Sequence, residues 1–436
     1  MKGLYFFCWL MVQYPIRLVF RKRLILNNPK KRFSSTIYVS NHPATFMDPL
    51  ILSILNKPVV HFLARSDVFT KITNPFFKNL HMLPIYRQQD GVNTKEKNKK
   101  IFRACSKILM KNKNILIFGE GFSDDVFIRR LKPLKKGAIR IGFATLENCN
   151  WEKQIYIATI GCNYANPNVF DSELIISNSK PICLNDFKES YLEAPIETIN
   201  KLNKSITNLL KKQITHLENE KDSTLHENIM RITGEGINSK YYNNKIALKN
   251  RFNMSQKTAF KLNDAEDSIK FKLNNTLSNY FQSVDEKKIN DLFINEKHYK
   301  KKYVSLKLLW IFTLLPIATL GLFHAYLPYI PLRKWVEKKF KRPAFWPSVK
   351  MMLGALIIAL INIPIILLLN YYFIENGFIS FIYYLFIGVF GFVFMFVKTQ
   401  IKLVLDRIKI NPSEVSSFYN ERLNILTELK KNNFID

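Results

Sequence analysis

The sequence is poor in acidic residues and lacks several patterns that mark familiar classes of protein. Asp and Glu number 34 against 65 Lys and Arg, which gives a formal charge of +31 at pH 7. The five cysteines are scattered, without a Cys-x-x-Cys pair or neighbouring histidines. This pattern argues against a disulfide framework or a zinc site and favours a reducing compartment. No serine lies in the Gly-x-Ser-x-Gly pattern of a nucleophile elbow, so a serine nucleophile of that type is not indicated.

The excess of positive charge is concentrated in the N-terminal third of the chain and indicates a polyanionic partner. Such a partner is either nucleic acid or the anionic surface of a membrane. An apolar content of 47%, with 35 Phe and 19 Tyr, favours the membrane. No nucleic-acid-reading motif accompanies the charge. The sequence therefore predicts membrane phospholipids as partners and no nucleic acid.

The chain of 436 residues has room for two or three structural units. Composition and hydropathy divide it into an N-terminal membrane-interface helix (1–30), an α/β domain (31–190), a polar helical connector (191–303), a membrane region (304–398) and a cytoplasmic tail (399–436). The segment 1–26 is apolar but interrupted by Gln13, Pro15 and Arg17. A kinked helix in the membrane interface is the preferred interpretation, with residues 21–23 reaching phosphate headgroups. A removed signal peptide is the alternative, but no small-residue cleavage site follows.

Short β-branched or aromatic runs alternate with helical patterns over residues 34–180. The predicted strands are STIYVS, VVHFLA, MLPIY, NILIFGE, QIYIATIGC and ELIIS, and the clearest helices are 93–112 and 135–147. Alternating strands and helices predict a mainly parallel sheet flanked by helices, with its loops gathered at the strand ends.

Two apolar blocks near the C-terminus, 351–373 and 378–397, are each long enough to cross a bilayer, which takes about 20 helical residues. Only the letters IENG separate them, so they predict a helical hairpin. Lys350 and Lys398 flank its outer ends and Glu375 lies at its tip, which places the outer ends, and with them the α/β domain, on the cytoplasmic side.

An earlier apolar block, residues 306–332, has positive charge on both sides and contains Pro316 and Gly321 near its middle. Charge on both flanks disfavours a single crossing. We expect a re-entrant or surface-lying helical pair, with a true crossing as the alternative.

The stretch YVSNHPATFMDPL contains His42 and, six residues later, Asp48. The run 35–40 is a plausible strand, so His42 would lie on its exit turn at the carboxyl edge of the sheet, where α/β folds place their sites. Asp48, in the first turn of a following helix, can reach Nδ1 and leave Nε2 as a general base. Taken alone, the pair also fits an ordinary structural turn.

A second candidate is IFGEGFSDD, in which a strand runs into Gly119-Glu120-Gly121 and then Ser123. Glycines on both sides of a charge allow a ligand close to the backbone, and successive N–H groups can hold a phosphate or an oxyanion. An ordinary strand-to-loop turn is the alternative. Cations that could complete an anion site are Arg87, at the end of LPIYRQQDG, and Lys132, Lys135, Lys136 and Arg140, where a helix begins.

The order of these blocks, Asn-His-x5-Asp, then Pro-Ile-Tyr-Arg, then Phe-Gly-Glu-Gly-x-Ser, then a small-residue strand, closely resembles the phospholipid/glycerol acyltransferase superfamily over roughly residues 35–185. The resemblance implies that His42 is the catalytic base and Asp48 its orienting partner. It implies acyl transfer from acyl-CoA or acyl-carrier protein to a glycerol-phosphate or lysophosphatidate hydroxyl, with no cofactor and no metal. The candidate substrate contacts are Asn41, Arg87, Gly119, Glu120, Gly121, Ser123, Lys135, Lys136 and Arg140.

Three departures from the family pattern bear on that interpretation. His42 and Asp48 are separated by five residues where four are usual, which resembles a branch of the family. Gly119 replaces a proline, and the arginine that often follows Gly121 is missing. The positive charge for a phosphate must then come from the lysines or arginines named above, so the acceptor stays open. A non-catalytic membrane scaffold with the same fold is the alternative function.

Overall fold

A computed structural model describes residues 3–28, 34–55, 60–86, 93–121, 124–295 and 301–435. The chain divides into two compact units. The first, the sheet unit, comprises residues 1–14, 22–167 and 172–220. The second, the helical unit, comprises residues 15–21, 168–171 and 221–436.

The sheet unit is built on eight strands within the described residues: β1 Arg23–Leu26, β2 Thr36–Ser40, β3 Val60–Arg65, β4 Met82–Ile85, β5 Asn114–Phe118, β6 Tyr156–Tyr164, β7 Leu174–Asn178 and β8 Ile182–Cys183. Their order across the sheet is β1-β7-β6-β2-β5-β3-β4, with β8 also beside β6. The pairs of β6 with β7 and with β8 are antiparallel, and the other described pairs are parallel. The predicted mainly parallel sheet is confirmed.

The helices that precede and flank these strands in the chain are α1 Gly3–Val19, α2 Met47–Leu55, α3 Thr73–Asn79, α4 Thr94–Met110, α5 Gly137–Asn148, α6 Lys188–Glu193 and α7 Pro195–Lys211. Buried side chains of α4, α5 and α7 form one core with β2 and β5. In α7 the buried residues Leu202, Ile206 and Leu210 recur every four positions, the spacing of one helix face. The sheet unit therefore continues past residue 190, the predicted end of the α/β domain.

The N-terminal segment differs from the single helix expected over positions 1–26. Helix α1 ends at Val19, and Arg23–Leu26 is a strand paired in parallel with β7. A short apolar run does not distinguish a helix from a buried strand. The partner that makes this run a strand, β7, is distant in the chain. On α1, the exposed side chains include Phe6, Leu10 and Tyr14, which recur every four residues along one face.

The helical unit contains α8 Ser223–Thr233, α9 Leu248–Asp264, α10 Asp267–Glu286, α11 Asp291–Asn295, α12 Lys301–Gly321, α13 Leu327–Lys339, α14 Trp346–Leu369, α15 Gly377–Lys409 and α16 Pro412–Lys431. In the polar part, α8 to α11 with α16, a buried cation joins three of the helices. Arg231 of α8 is 4% exposed and bonds both Asp285 of α10 and Asp291 of α11. An unpaired buried guanidinium would be costly, so this pairing ties three helices together.

Three helical stretches are long and apolar enough to cross a membrane: Val304–Lys339, Pro343–Ile374 and Gly377–Lys409. The last two form the predicted helical hairpin. Its turn consists of Glu375, in the left-handed conformation, and Asn376, whose side chain accepts hydrogen bonds from the N–H groups of Phe378 and Ile379 and so caps α15.

The first of the three stretches is one continuous helix, which differs from the predicted re-entrant or surface-lying pair of helices over residues 306–332. Pro316 lies inside α12, and residues Leu322–Tyr326 wind as a π-helix before α13 begins. Gly321 serves close packing instead of a break, because a Cβ there would lie 2.0 Å from the carbonyl oxygen of Phe390 on α15. The length of the continuous helix permits the alternative of a crossing, whereas the positive charge on both flanks disfavours it.

Candidate active site

The carboxyl ends of β2 and β5 lie side by side and bring two of the sequence motifs together. Asn41-His42-Pro43 follows β2, and Gly119-Glu120-Gly121 follows β5. The N–H of Gly119 donates to the carbonyl of Ser40 at 3.2 Å, which extends the ladder past the ends of both strands. The Phe118 ring stacks on the His42 ring at 4.1 Å between centroids. The imidazole is therefore held at the edge of the sheet by the last residue of β5.

His42 and Asp48 are in direct contact. Nδ1 of His42 lies 2.8 Å from Oδ2 of Asp48, whose side chain is fully buried, while the imidazole stays 20% exposed. The backbone N–H of Ala44 donates to the same Oδ2 at 2.9 Å. Because a carboxylate only accepts, Nδ1 carries the proton and Nε2 presents a lone pair. Nε2 has no hydrogen-bond partner among the residues that the structure describes.

The additional residue between His42 and Asp48 is accommodated in the turn. Thr45 has φ of 47°, a conformation that β-branched residues rarely adopt, and α2 begins only at Met47. The N–H of Met47 donates to the carbonyl of Ala44 at 3.0 Å, which starts the helix beneath the turn. The longer spacing therefore preserves the contact between the two side chains by bending the backbone at Thr45.

Glu120 holds the turn that carries His42 from the β5 side. Its Oε1 accepts the backbone N–H of His42 at 2.9 Å, and Lys132 Nζ lies 3.8 Å from its Oε2 and 3.1 Å from Asp124. Glu120 is 3% exposed. Burial raises the pKa of its carboxyl to about 7, against the opposing effects of the His42 N–H and the Lys132 ammonium.

Several backbone donors of the two turns are already engaged. The N–H groups of His42, Gly119 and Gly121 donate to Glu120, to Ser40 and to Phe118. These donors therefore do not point at a ligand, contrary to the expectation for this turn. A cation lies close instead, because a Cβ at Gly121, where φ is +77°, would lie 3.0 Å from Nζ of Lys135. Any larger residue at this position would displace that ammonium group.

The other predicted cations flank the same turn. Lys135, which is exposed, donates its backbone N–H to the carbonyl of Gly119 at 2.9 Å. Lys136 occupies the N-cap position of α5 and Arg140 lies one turn into it, both exposed. Two further predicted contacts, Arg87 and Ser123, lie outside the described residues.

Asn41 has a different surrounding from the other predicted contacts. Its amide donates to the carbonyl of Cys162 at 2.9 Å and accepts the N–H of Cys162 at 2.8 Å. The side chain is 4% exposed and binds the exit of β2 to β6. In the structure it positions the backbone next to His42, and direct contact with a substrate remains a prediction.

Two residues on β6 complete the site and were not among the predicted ones. The phenol of Tyr164 donates to Oδ1 of Asp48 at 2.7 Å, and the thiol of Cys162 lies 3.3 Å from the phenol oxygen. Both side chains are buried. The sequence signal was their position at the end of a long buried strand, which does not reveal which strand lies beside it. On the same strand, Gly161 is required because a Cβ there would lie 2.5 Å from the carbonyl oxygen of Gln213.

The residues of the site described above donate and accept hydrogen bonds with one another. In the described part of the chain no group of three or more His, Cys, Asp or Glu side chains is arranged to hold a metal ion. The arrangement of His42, Asp48 and Tyr164 can take up and return one proton at Nε2, and the lysines beside Gly121 can hold an anion.

The part of the chain that forms this site resembles known acyltransferases. Residues 26–163 match the family model described as Acyltransferase, which confirms the resemblance over the stretch that contains His42, Asp48 and Glu120. None of the curated proteins matches the chain. The solved structure of PlsC, the 1-acyl-sn-glycerophosphate (LPA) acyltransferase from Thermotoga maritima, aligns with 48% of this chain and 78% of its own, at 15% identity and a TM-score of 0.33. A likeness of that size does not bear on function.

Proposed function

We propose that the chain is a membrane-bound O-acyltransferase of phospholipid synthesis, in which residues 26–163, the stretch that matches the Acyltransferase family model, form the catalytic part. The acyl group moves from acyl-CoA or acyl-carrier protein to a hydroxyl of glycerol phosphate or lysophosphatidate. The observation that carries the proposal is the contact of His42 Nδ1 with Asp48, which leaves Nε2 as a base at the exposed edge of the sheet.

The proposed reaction needs one base that later acts as an acid. Nε2 of His42 removes the proton from the acceptor hydroxyl while its oxygen attacks the thioester carbonyl carbon. Asp48 stabilises the imidazolium that forms. The tetrahedral intermediate then expels the thiolate as the C–S bond breaks, and the imidazolium returns its proton to sulfur. The products are the acyl ester and the free thiol, and no covalent acyl-enzyme is formed.

The lysines and Arg140 bind the acceptor phosphate in this proposal. Lys135 Nζ lies next to Gly121, and Lys136 and Arg140 lie at the N-terminal end of α5, where the helix dipole also favours an anion. Glu120 holds the backbone of His42 in place. Lys132, paired with Glu120 and Asp124, balances the acids of the turn and is not assigned to substrate.

The apolar helices support a membrane location. Helix α15 has 33 residues, about 50 Å at 1.5 Å per residue, whereas the hydrocarbon core of a bilayer is about 30 Å thick. Its last turns therefore extend beyond the core. The positive-inside rule places Lys350 and Lys398 in the cytoplasm and Glu375 on the opposite side. We propose that the catalytic domain also faces the cytoplasm, which requires that Val304–Lys339, with positive charge on both flanks, does not make a single crossing. An epitope inserted at Glu375 should be inaccessible in sealed vesicles that expose an epitope at residue 436.

The function is tested by acyl transfer on membranes that contain the full chain. Glycerol 3-phosphate and lysophosphatidate are each offered with acyl-CoA and with acyl-carrier-protein thioester. We expect one acceptor and one donor to be preferred, and His42→Gln to abolish the product. The matched control is His61→Gln, since His61 lies at the amino end of β3, away from this edge.

Each result of this assay has a defined meaning. Product formation by the His42→Gln protein would refute the assignment of the base. Absence of transfer for all four substrate pairs by a folded chain in vesicles would support the scaffold instead.

A further inference from the structure

The carboxylate of Asp48 is surrounded by donors from three directions. Oδ2 receives the His42 Nδ1–H and the Ala44 N–H, and Oδ1 receives the Tyr164 O–H at 2.7 Å. Asp48 is 0% exposed, so water does not reach it. Without the phenol, Oδ1 would be a buried charged acceptor with no donor among the described residues, which is a costly state.

The direction of the hydrogen bonds follows from burial. Burial, together with the charge of Asp48, raises the pKa of the Tyr164 phenol well above its ordinary value and likewise that of the Cys162 thiol. Both groups therefore keep their protons. The thiol donates to the phenol oxygen, the phenol donates to Asp48, and Asp48 accepts from His42. The four side chains form one line of donors and acceptors from β6 to the edge of the sheet.

The Tyr164 end of this line is rigidly held. The guanidinium of Arg129, which is 5% exposed, donates to the carbonyls of Tyr164 and Ala165 at 2.6 and 3.0 Å. Two hydrogen bonds from Asn41 hold the backbone of Cys162. Strand β6 is paired with β2 in register, so the phenol approaches Asp48 from a fixed direction. A rigid donor of this kind fixes both the rotamer and the charge distribution of the carboxylate.

We propose that Tyr164 is a positioning residue for acyl transfer, which acts on the base His42 through Asp48. The inference rests on the proposed function. Tyr164 orients Oδ2 toward Nδ1 and draws negative charge toward Oδ1. It thereby sets how strongly the imidazolium is stabilised, and so the pH at which His42 becomes a working base. Cys162 adds a weaker donor to the phenol. The other titratable groups close to this line among the described residues are Glu120, Lys132 and Arg129, whose guanidinium donates to the Tyr164 carbonyl.

Tyr164→Phe in the full chain tests the inference. The substitution removes one hydroxyl and keeps the ring, and a lost hydrogen bond to a charged group corresponds to roughly a tenfold or larger effect. We expect kcat to fall about tenfold, with KM for the acceptor nearly unchanged. Since Asp48 then attracts the proton of His42 more strongly, the acidic limb of kcat/KM should move to higher pH. Tyr156→Phe, on the same strand with its hydroxyl on Gln154, is the matched control and should behave as wild type.

Replacement of Tyr164 by 3-fluorotyrosine keeps the shape of the site and strengthens the donor. It should move the acidic limb to lower pH, opposite to the effect of Tyr164→Phe. A residue that only fills space would not give shifts of opposite sign. This variant also keeps the test valid if Tyr164→Phe fails to fold.

These experiments distinguish failure of the positioning role of Tyr164 from failure of the proposed acyl transfer. Activity in His42→Gln would refute the proposed function itself. If His42→Gln is inactive but both Tyr164 variants keep the wild-type kcat and acidic limb, the positioning role is wrong while the base assignment stands. Opposite shifts of the limb with an inactive His42→Gln would support both.

Discussion

The sheet unit and the helical unit each contain a cluster of a histidine, a residue with a side-chain oxygen and a tyrosine, and the two clusters differ in how the histidine is bonded. In the sheet unit, His42 contacts Asp48, and Tyr164 bonds the acid. In the helical unit, Nδ1 of His324 bonds the amide oxygen of Asn362, and Nε2 of His324 lies 3.0 Å from the hydroxyl of Tyr383. Both ring nitrogens of His324 are engaged, whereas His42 keeps one lone pair.

The second cluster satisfies its own hydrogen bonds. The amide nitrogen of Asn362 donates to the carbonyls of His324 and Ile358 at 2.8 and 2.7 Å. The amide oxygen only accepts, so Nδ1 of His324 carries the proton and Nε2 accepts from Tyr383. His324 lies in the π-helical segment, Asn362 on α14 and Tyr383 on α15. The cluster joins three apolar helices, and both ring nitrogens of its histidine are bonded, which makes it a structural contact. A carboxyl partner, and a ring nitrogen without a partner among the described residues, distinguish the candidate catalytic histidine.

The largest effect is expected when the catalytic cluster is given the chemistry of the structural one. Asp48→Asn gives His42 an amide partner, as His324 has, which stabilises no imidazolium and can hold the wrong tautomer. We expect kcat to fall roughly 10³- to 10⁴-fold, as for an orienting acid in a catalytic triad. Asp67→Asn, in an exposed pair with Arg65, is the control. A fall of less than tenfold would contradict the role of Asp48.

The reverse exchange should damage folding instead of activity. Asn362→Asp places a carboxylate at a fully buried position among apolar helices. We expect a loss of roughly 3–5 kcal/mol, seen as a lower melting temperature of the detergent-solubilised chain. Asn376→Asp is the matched control, because Asp is as good an N-cap as Asn for α15. Equal melting temperatures for the two variants would show that the cluster does not hold the helices.

Glu120 gives the sheet unit a pH dependence of its own. Because its folded pKa of about 7 is above its ordinary value of 4.5, the folded state binds the proton more tightly than the unfolded one. Stability should therefore fall as pH rises from about 4.5 to about 7, by roughly 3 kcal/mol at most, and be level above that range.

Glu120→Gln removes this titration. The difference in melting temperature between wild type and variant, followed from pH 4 to 9, should change in favour of the variant across that window. A constant difference would show that the pKa of Glu120 is the same in the folded and the unfolded chain.

The smallest effect is expected from Tyr383→Phe. It removes one hydrogen bond within the helical cluster, which corresponds to about 0.6–1.7 kcal/mol in membrane proteins. The melting temperature should fall slightly and the specific activity stay at the wild-type level, unlike Tyr164→Phe. Tyr371→Phe, at an exposed position, is the control. A changed pH profile of activity in Tyr383→Phe would contradict the distinction between the two clusters.

Much of the fold could be predicted because local patterns carry it. Strands β2 to β7 coincide with apolar or β-branched runs, and α4 and α5 with helical periodicity. Strand β1 was missed since RLIL continues an apolar helix, and only the distant β7 makes it a strand. Likewise the break expected at Gly321 is absent, because that glycine serves to pack α12 against α15, which comes later in the chain.

The residues of the site also divide into those that local motifs predict and those that depend on distant strands. His42, Asp48 and Glu120 stand in short motifs at strand ends, so their neighbourhood was predictable from order and spacing. Tyr164 and Cys162 reach Asp48 only because β6, which is distant in the chain, lies beside β2.

The sheet with its motif-bearing edge, the apolar hairpin and the motifs typical of acyltransferases follow from the order of the residues alone, because they depend on periodicity and residue type over short distances. Four features follow instead from the packing of the folded chain: the donors around Asp48, the bonds of Asn41 to Cys162, the engaged backbone donors near Gly119, and the two bonded ring nitrogens of His324. Hydrogen bonds and burial depend on neighbours that are distant in the chain, and strand order and helix packing bring those neighbours together.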